Sequence, residues 1–119
     1  MTAKLNLLVL NARDIEKAKQ FFSVLGLRFE PEQHGEGQQH YTAIIDDLVL
    51  ELYPPYEEQE FPQLIRLGFR IDSIDERISQ LVEKGGDLIV NPYDSKWGRR
   101  AVVQYEDGHI IELIEEEYR

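Results

Sequence analysis

The sequence predicts an α+β fold in which one unit, strand–helix–strand–strand–strand, occurs twice. Two observations support the repeat. In the two predicted helical regions, the segments from Ile15 to Gly26 and from Ile74 to Gly85 have the same length, and both of their ends lie 59 residues apart. Glu51 and Glu112 then occupy matching strand positions near the ends of the two halves, at an offset of 61. The order of elements is therefore the same in both halves.

The chain length favours one domain built from both halves. A half of about 55 residues buries too little surface to be stable alone. We therefore expect a single domain over residues 1–119, with a first module at 1–56, a Pro- and Glu-rich linker at 57–63 and a second module at 64–119. Because no half is complete by itself, the modules should share a core within one chain or with a second chain.

Composition excludes several classes of function. The 13 Lys and Arg residues against 23 Asp and Glu give a formal net charge of −10, whereas nucleic acids and anionic membranes attract basic surfaces. The absence of cysteine removes disulfides, thiolate metal sites and cysteine nucleophiles. No apolar run of about 18 residues is present. We expect a cytoplasmic protein that binds neither nucleic acid nor membrane.

The first half shows strand and helix signals in a clear order. An apolar run predicts a strand at 5–10, and Asp14 is a suitable N-cap for a helix that ends at Gly26. Strands are predicted at 27–30, where Pro31 should end the strand, and at 40–45 and 48–53, after a polar loop at 33–39. The helix should bury one apolar face, formed by Ile15, Ala18, Phe21, Phe22 and Leu25.

The second half repeats these signals. A strand at 65–71 precedes a helix at 72–84, whose apolar face comprises Ile74, Ile78, Leu81 and Val82 and which Gly85 and Gly86 end. A short strand at 88–90, a loop at 91–99 and strands at 101–105 and 109–114 follow, with an Asp-Gly turn at 106–108. Residues 115–117, all Glu, predict a solvated acidic tail.

Four segments together resemble the vicinal oxygen chelate superfamily, which contains glyoxalase I, bleomycin-resistance proteins, fosfomycin-resistance enzymes and extradiol dioxygenases. The segments are ARDIEKAKQFFSVLGL at 12–27, VLEL at 49–52, WGR at 97–99 and EDGHIIEL at 106–113. The resemblance implies paired βαβββ modules whose curled mixed sheets surround a cavity. It also implies a homodimer that binds a small molecule.

The resemblance implies a metal site whose histidines are missing from this chain. Metal-using members take His, Glu, His and Glu from the first and last strand of each module. By position these ligands match Leu7, Glu51, Arg66 and Glu112. The internal offset of 59 also relates Leu7 to Arg66, so the repeat supports the same assignment.

A divalent metal is disfavoured at these four positions. Leu7 offers no donor atom, and the permanent charge of Arg66 would repel a cation. We therefore expect no metal cofactor, and a guanidinium that lies between Glu51 and Glu112 as a buried salt bridge. Two alternatives remain open: a metal held by other ligands, or side chains that are more exposed than the family fold implies.

The remaining candidates come from strand alternation, which should direct alternate side chains into the cavity. Arg70 and Tyr53 should face it, and His40 begins a strand that lines it. Trp97 is either a stacking residue for a planar ligand or a cover for the sheet edge. The predicted ligand-binding residues are His40, Glu51, Tyr53, Arg66, Arg70, Trp97 and Glu112. We expect His34 to be a loop residue and His109 a surface residue at a strand end.

Three functions are consistent with these features. The first is a metal-independent small-molecule-binding protein that resembles bleomycin-resistance proteins and acts by sequestration. Its acidity favours a cationic ligand, although Arg66 and Arg70 oppose this locally unless glutamates pair with them. The second is a metal-dependent lyase resembling glyoxalase or an enzyme resembling dioxygenases, and the third is a non-catalytic sensing or accessory domain. The sequence therefore leaves open whether the protein is an enzyme.

Overall fold

The computed structural model describes residues 1–115, so most of the predicted acidic tail, at 116–117, lies outside the described residues. The first part contains β1 (Leu7–Asn11), α1 (Ile15–Ser23), β2 (Glu30–Glu32), β3 (His40–Ile45) and β4 (Leu48–Tyr53). The second contains β5 (Arg66–Ile71), α2 (Ile74–Glu83), β6 (Gly86–Ser95), β7 (Gly98–Tyr105) and β8 (Ile110–Glu115). The repeated element order is confirmed.

The chain divides into two compact units, Met1–Gln59 and Glu60–Arg119. The first unit has a sheet of strand order β1-β4-β3-β2, and the second has the order β5-β8-β7-β6. In each sheet the first and last strands of the unit run parallel and the other neighbours run antiparallel. Two mixed four-stranded sheets, each with one helix, confirm the predicted α+β class.

Helix α1 begins where the sequence indicates. The Asp14 carboxylate accepts a hydrogen bond from the Lys17 backbone N–H at 3.1 Å, which satisfies a donor at the helix start. Ala18, Phe21 and Phe22 are fully buried, and the two phenyl rings meet edge to face with centroids 5.2 Å apart. The helix packs on β3 and β4. This apolar contact forms the core of the first unit.

Helix α2 repeats the arrangement with a different cap. The Ser73 hydroxyl accepts from the Glu76 N–H at 3.4 Å. Ile74 and Leu81 are fully buried, whereas Val82, predicted on the same face, is 45% exposed. The helix packs on β6, β7 and β8.

The strands bury one face and leave the other open. Buried strand residues in the two sheets include Leu10, Leu50, Leu52, Ile71, Ile111 and Leu113. On the opposite face Leu7 and Val9 are exposed in the first unit, as are Arg66, Gly68 and Arg70 in the second. This agrees with the side-chain alternation predicted from the sequence. Each unit therefore presents a mixed polar and apolar sheet face that its own helix does not cover.

Two predicted strand boundaries are wrong, and proline is involved in both. Strand β2 spans Glu30–Glu32 and contains Pro31, which was expected to end a strand at 27–30. Strand β6 spans ten residues and includes Pro92, so it replaces much of the loop predicted at 91–99. Both are edge strands, where a missing N–H can face away from the sheet. Register shifts at Leu88/Val90 and Val90/Tyr93 further accommodate β6.

The prediction of a surface position for His109 is also wrong, because its side chain is fully buried. Its carbonyl accepts from the Tyr105 N–H at 2.8 Å, and the Tyr105 ring lies parallel to the imidazole with centroids 6.3 Å apart. Segment 62–63 packs over the turn at 106–108 that precedes His109, since the Gln63 N–H donates to the Asp107 carbonyl at 2.8 Å. Burial lowers the pKa of His109 to about 4.

Neither helix in residues 1–115 has the length and apolar character needed to cross a membrane.

Candidate functional site

The open face of the second sheet forms a cleft of about 310 Å³. Strand pairing builds it, because Gly68 of β5 and Val102 of β7 lie on either side of Glu112 in the central strand β8. Gly68 leaves space over the sheet, since a Cβ added there would meet nothing within 4 Å. The residues that line the cleft are Gly68, Phe69, Arg70, Arg100, Glu112, Leu113 and Ile114.

Arginine dominates the charge of this cleft. Arg66 pairs with Glu112, with 3.5 Å between Nε and Oε1. Among residues 1–115, neither Arg70 nor Arg100 forms an ion pair or a side-chain hydrogen bond. The cleft therefore carries two guanidinium groups that have no acidic partner in the described part of the chain.

The pairing of Arg66 is weaker than expected. Its side chain is 67% exposed and that of Glu112 is 32% exposed, so their contact is not a buried salt bridge. Exposed ion pairs of this kind contribute about 0–1 kcal/mol. The predicted approach of Arg66 to Glu51 would join the two units and stays a prediction.

The family's metal positions do not fit a divalent cation. Leu7 supplies no lone pair and is 47% exposed. Arg66 has no lone pair to donate, and its guanidinium group already pairs with one carboxylate oxygen of Glu112. Only two carboxylates remain of the four ligands that the resemblance implies, which is a poor donor set for a protein metal site.

A different cluster of donors lies on the first sheet. Glu32, His34, His40 and Glu51 place one ligand atom each within 4.8 Å of one another. The antiparallel register sets Glu32 of β2 opposite His40 of β3. In the next pair, Thr42 of β3 lies opposite Glu51 of β4, and its hydroxyl donates to Glu51 at 3.5 Å. Because His40 and Thr42 are two residues apart in β3, their side chains and those of their partners Glu32 and Glu51 lie on the same face of the sheet.

His40 is the centre of this cluster and is fully buried. Its Nε2 lies 3.1 Å from Glu51 Oε2 and 3.8 Å from Glu32 Oε2. His34 Nε2 lies 3.2 Å from the same Glu32 oxygen. Tyr53 stacks on the His40 ring at 4.1 Å, with 11° between the planes, and fixes the orientation of the imidazole.

Hydrogen bonding assigns the tautomer of His40. Nδ1 lies 3.2 Å from the carbonyl oxygen of Gln38, which can only accept, so Nδ1 carries the hydrogen. The Nε2 lone pair of a neutral ring then points toward the carboxylates of Glu51 and Glu32. Burial and the same two carboxylates, Glu51 more than Glu32, raise the pKa of Tyr53, whose hydroxyl is 3.5 Å from Nε2. The two carboxylates therefore give the site a negative local charge that favours a cation.

The two sites arise from equivalent positions of the repeat. His40 lies two residues before Thr42, the partner of Glu51, and Arg100 lies two residues before Val102, the partner of Glu112. The first unit thus has an imidazole where the second has a guanidinium. This difference gives one sheet a cation-attracting centre and the other an anion-attracting cleft.

The structure brings together some of the predicted site residues and separates others. His40, Glu51 and Tyr53 are in contact in the first unit. Arg66 contacts Glu112 in the second unit, and Arg70 lines the cleft with Glu112. The ligand-binding role of all of them stays a prediction.

Trp97 lies neither with His40, Glu51 and Tyr53 nor among the residues that line the cleft. It lies in the turn between β6 and β7, is 62% exposed, and stacks under the Lys96 ammonium at 4.4 Å. Glu32 and His34 were not recognised from the sequence, although a polar loop between two short strands indicates a hairpin. The sequence does not fix the register of that hairpin, which in the structure places Glu32 opposite His40.

Comparison with known proteins gives the family. The family model of the Glyoxalase/Bleomycin resistance protein/Dioxygenase superfamily matches residues 4–113. The chain therefore belongs to this superfamily, as its resemblance to the vicinal oxygen chelate proteins indicated. No curated protein matches the chain significantly.

Solved structures share the fold over nearly the whole chain. TnmS3, an antibiotic binding protein from Streptomyces sp. CB03234, is 25% identical with a TM-score of 0.72, and the match covers 98% of each chain. A glyoxalase/bleomycin resistance protein from the same organism is 26% identical with a TM-score of 0.68, covering 93% of this chain and 99% of that one. The hypothetical protein SA1046 from S. aureus is 17% identical with a TM-score of 0.76, covering 98% and 95%.

Proposed function

We propose that this protein binds and sequesters a small molecule in the cleft of its second unit and needs no metal ion for that binding. The observation that carries the proposal is the replacement of the family's metal ligands. Leu7 has no donor atom, and Arg66 lies on Glu112 beside an open cleft of about 310 Å³. That volume is in the range of small-molecule sites. The similarity to the antibiotic binding protein TnmS3 supports an antibiotic as the ligand class.

The chemistry of the cleft favours a ligand with an acidic group. Arg70 and Arg100 offer planar guanidinium donors that match a carboxylate or phosphate. Ile114, which faces the same side of the sheet as Glu112, adds apolar surface to the lining. An apolar body with one anionic group would fit this combination. The net charge of −10 favours cations at long range, but the local guanidinium groups decide the charge that binds in contact with them.

A thermal-shift screen of an antibiotic panel tests the proposal. The panel contains acidic, neutral and cationic compounds, bleomycin among the cationic ones, and each compound is screened once with EDTA and once with Zn²⁺. Isothermal titration calorimetry then measures the affinity of each compound that raises the melting temperature. We expect acidic compounds to bind, and we expect their affinity to be the same with and without EDTA.

A series at Gly68 locates the binding site. Gly68→Ala adds one methyl group in open space, since an added Cβ would meet nothing within 4 Å, whereas Gly68→Leu places a larger apolar side chain in the cleft. We expect binding to weaken moderately in the first variant and to be lost in the second, with no change in thermal stability beyond about 1 kcal/mol. Full affinity in Gly68→Leu, or binding that EDTA abolishes, would contradict the proposal.

We also propose that the protein forms a homodimer. Leu7, Val9 and Ile44 are 47%, 40% and 75% exposed on the open face of the first sheet, and a second protein surface would remove them from water. Sedimentation equilibrium should give twice the chain mass of 13.9 kDa. A monomer at micromolar concentration would overturn this assignment.

A further inference from the structure

We infer that Glu32, His34, His40 and Glu51 form a binding site for one divalent transition-metal ion, outside the metal positions of the family and within the first unit alone. The proposed ligand cleft, in contrast, is lined by residues of the second unit. Only Glu51 belongs to both the new set and the family's set. The other three ligands come from β2, β3 and the loop between them.

The distances between the four side chains fit a small ion. Ligands at 2.0–2.2 Å from a tetrahedral Zn²⁺ lie about 3.4 Å from one another. The nitrogen-to-oxygen separations are 3.1 Å for His40 and Glu51, 3.2 Å for His34 and Glu32, and 3.8 Å for His40 and Glu32. Three of the ligands, Glu32, His40 and Glu51, are already held by the register of the sheet. His34 is 73% exposed in a loop and can complete the set with a small movement.

The charges of the cluster favour a bound cation. Within residues 1–115, neither Glu32 nor Glu51 has a Lys or Arg partner. Two carboxylates that converge on the lone pair of a buried imidazole repel one another unless positive charge lies between them. A divalent ion would balance both carboxylates and use both imidazoles as neutral ligands.

The positioning of His40 matches that of a metal ligand. A ligating histidine generally donates its second ring N–H to a carbonyl or carboxylate, which fixes the tautomer. Nδ1 of His40 donates to the Gln38 carbonyl at 3.2 Å, and Tyr53 stacks on the ring. The lone pair at Nε2 is therefore held toward Glu51 without any rearrangement.

The donor set selects the class of metal. Two imidazoles with two carboxylates suit borderline ions such as Zn²⁺, Co²⁺ and Ni²⁺, whereas Ca²⁺ and Mg²⁺ prefer all-oxygen sites. A groove of about 300 Å³, lined in part by Glu32 and Thr42, gives the ion a path from solvent.

Calorimetric titration of Zn²⁺ into protein stripped with EDTA and freed of any polyhistidine tag tests the site. We expect one ion per chain. Glu32→Gln and His34→Ala each remove an accessible ligand, and each should weaken Zn²⁺ binding at least about tenfold, because even residues that only orient metal ligands contribute about 10- to 100-fold. Glu30→Gln, the same charge change two residues away, should bind as the wild type does.

Further measurements keep the result interpretable. Co²⁺ should give intense visible bands of a tetrahedral site in the wild type, and weak bands in His34→Ala. Glu112→Gln removes the other glutamate of the family's set and should leave Zn²⁺ affinity unchanged. Absence of Zn²⁺ binding, unchanged affinity in both Glu32→Gln and His34→Ala, or loss of binding in Glu112→Gln would each overturn the inference. Unchanged far-UV circular dichroism of the variants shows that they are folded.

Discussion

Mild acid should destabilise this protein through one buried histidine. His109 is fully buried at the start of β8, and burial lowers its pKa from the ordinary 6.5 to about 4. In the unfolded chain the imidazole is solvated and keeps its ordinary pKa. Between pH 6.5 and 4 the unfolded state therefore binds a proton that the folded state does not, and stability must fall as the pH falls.

The two pKa values set the size of the effect. One pKa unit corresponds to about 1.4 kcal/mol. Between pH 7.5 and 5 the folded protein should lose about 2 kcal/mol, and by pH 4 about 3 kcal/mol. This is a large part of the 5–15 kcal/mol that typically stabilises a domain, on the order of 0.1 kcal/mol per residue.

Urea unfolding monitored by tyrosine and tryptophan fluorescence, repeated at half-unit steps from pH 7.5 to 5, measures this loss. EDTA is included so that metal binding does not contribute. Staying above pH 5 avoids most carboxylate titration, since these groups ordinarily titrate near pH 4. His109→Gln removes the titrating group and should flatten most of the slope.

His34→Gln is the matched control, because His34 is 73% exposed and its loss should leave the slope unchanged. Equal slopes in the wild type and in a folded His109→Gln variant would refute the argument, since some other group would then cause the pH dependence. A slope of opposite sign in the wild type would refute it more directly.

Two further predictions concern packing. Gly108→Ala should lower the free energy of unfolding by about 2–4 kcal/mol, because the new Cβ would lie 2.6 Å from the Gln63 carbonyl oxygen and Gly108 has a φ of +105°. Gly26→Ala is the control, since Gly26 has a φ of +90° but open space around it, and it should lower the free energy of unfolding by only about 1–2 kcal/mol. Equal costs would show that segment 62–63 does not pack on the turn. Leu81→Ala, at a fully buried position, should cost about 2–5 kcal/mol, and Val82→Ala, 45% exposed, less than about 1 kcal/mol. Equal losses in this second pair would contradict the orientation of α2.

The fold could be predicted from the sequence because local signals and periodicity agree with each other. Asp14, the predicted N-cap, precedes apolar residues at helical spacing and caps α1 in the structure, whereas α2 begins at Ile74 after the N-cap Ser73, two residues later than predicted. The internal repeat then predicted that the same order of helix and strands along the chain occurs in both halves. The predicted bounds of β3 and β4 match the structure because a hairpin is a local feature with a local turn.

The errors have a common physical cause, which is tertiary context. Pro31 and Pro92 are tolerated only because their strands lie at sheet edges, and edge position is not visible in a single sequence. His109 is buried because segment 62–63 covers the turn that precedes it, a contact across more than 40 residues.

The candidate site was predicted only in part for the same reason. Glu51 and Arg66 were found through the repeat and the family resemblance. His40 was identified, but as an isolated residue, because its partners Glu32 and His34 lie across a loop whose closure the sequence did not specify. The cation-attracting cluster exists only once strands β2, β3 and β4 are in register.

The measurement that tests the central claim most directly is the metal dependence of ligand binding. Isothermal titration of the tightest-binding acidic compound is performed on one preparation, first with EDTA and then with excess Zn²⁺. The replacement of the family's ligands by Leu7 and Arg66 predicts equal affinity and one ligand per chain in both conditions. Binding that appears only when Zn²⁺ is present would contradict the account.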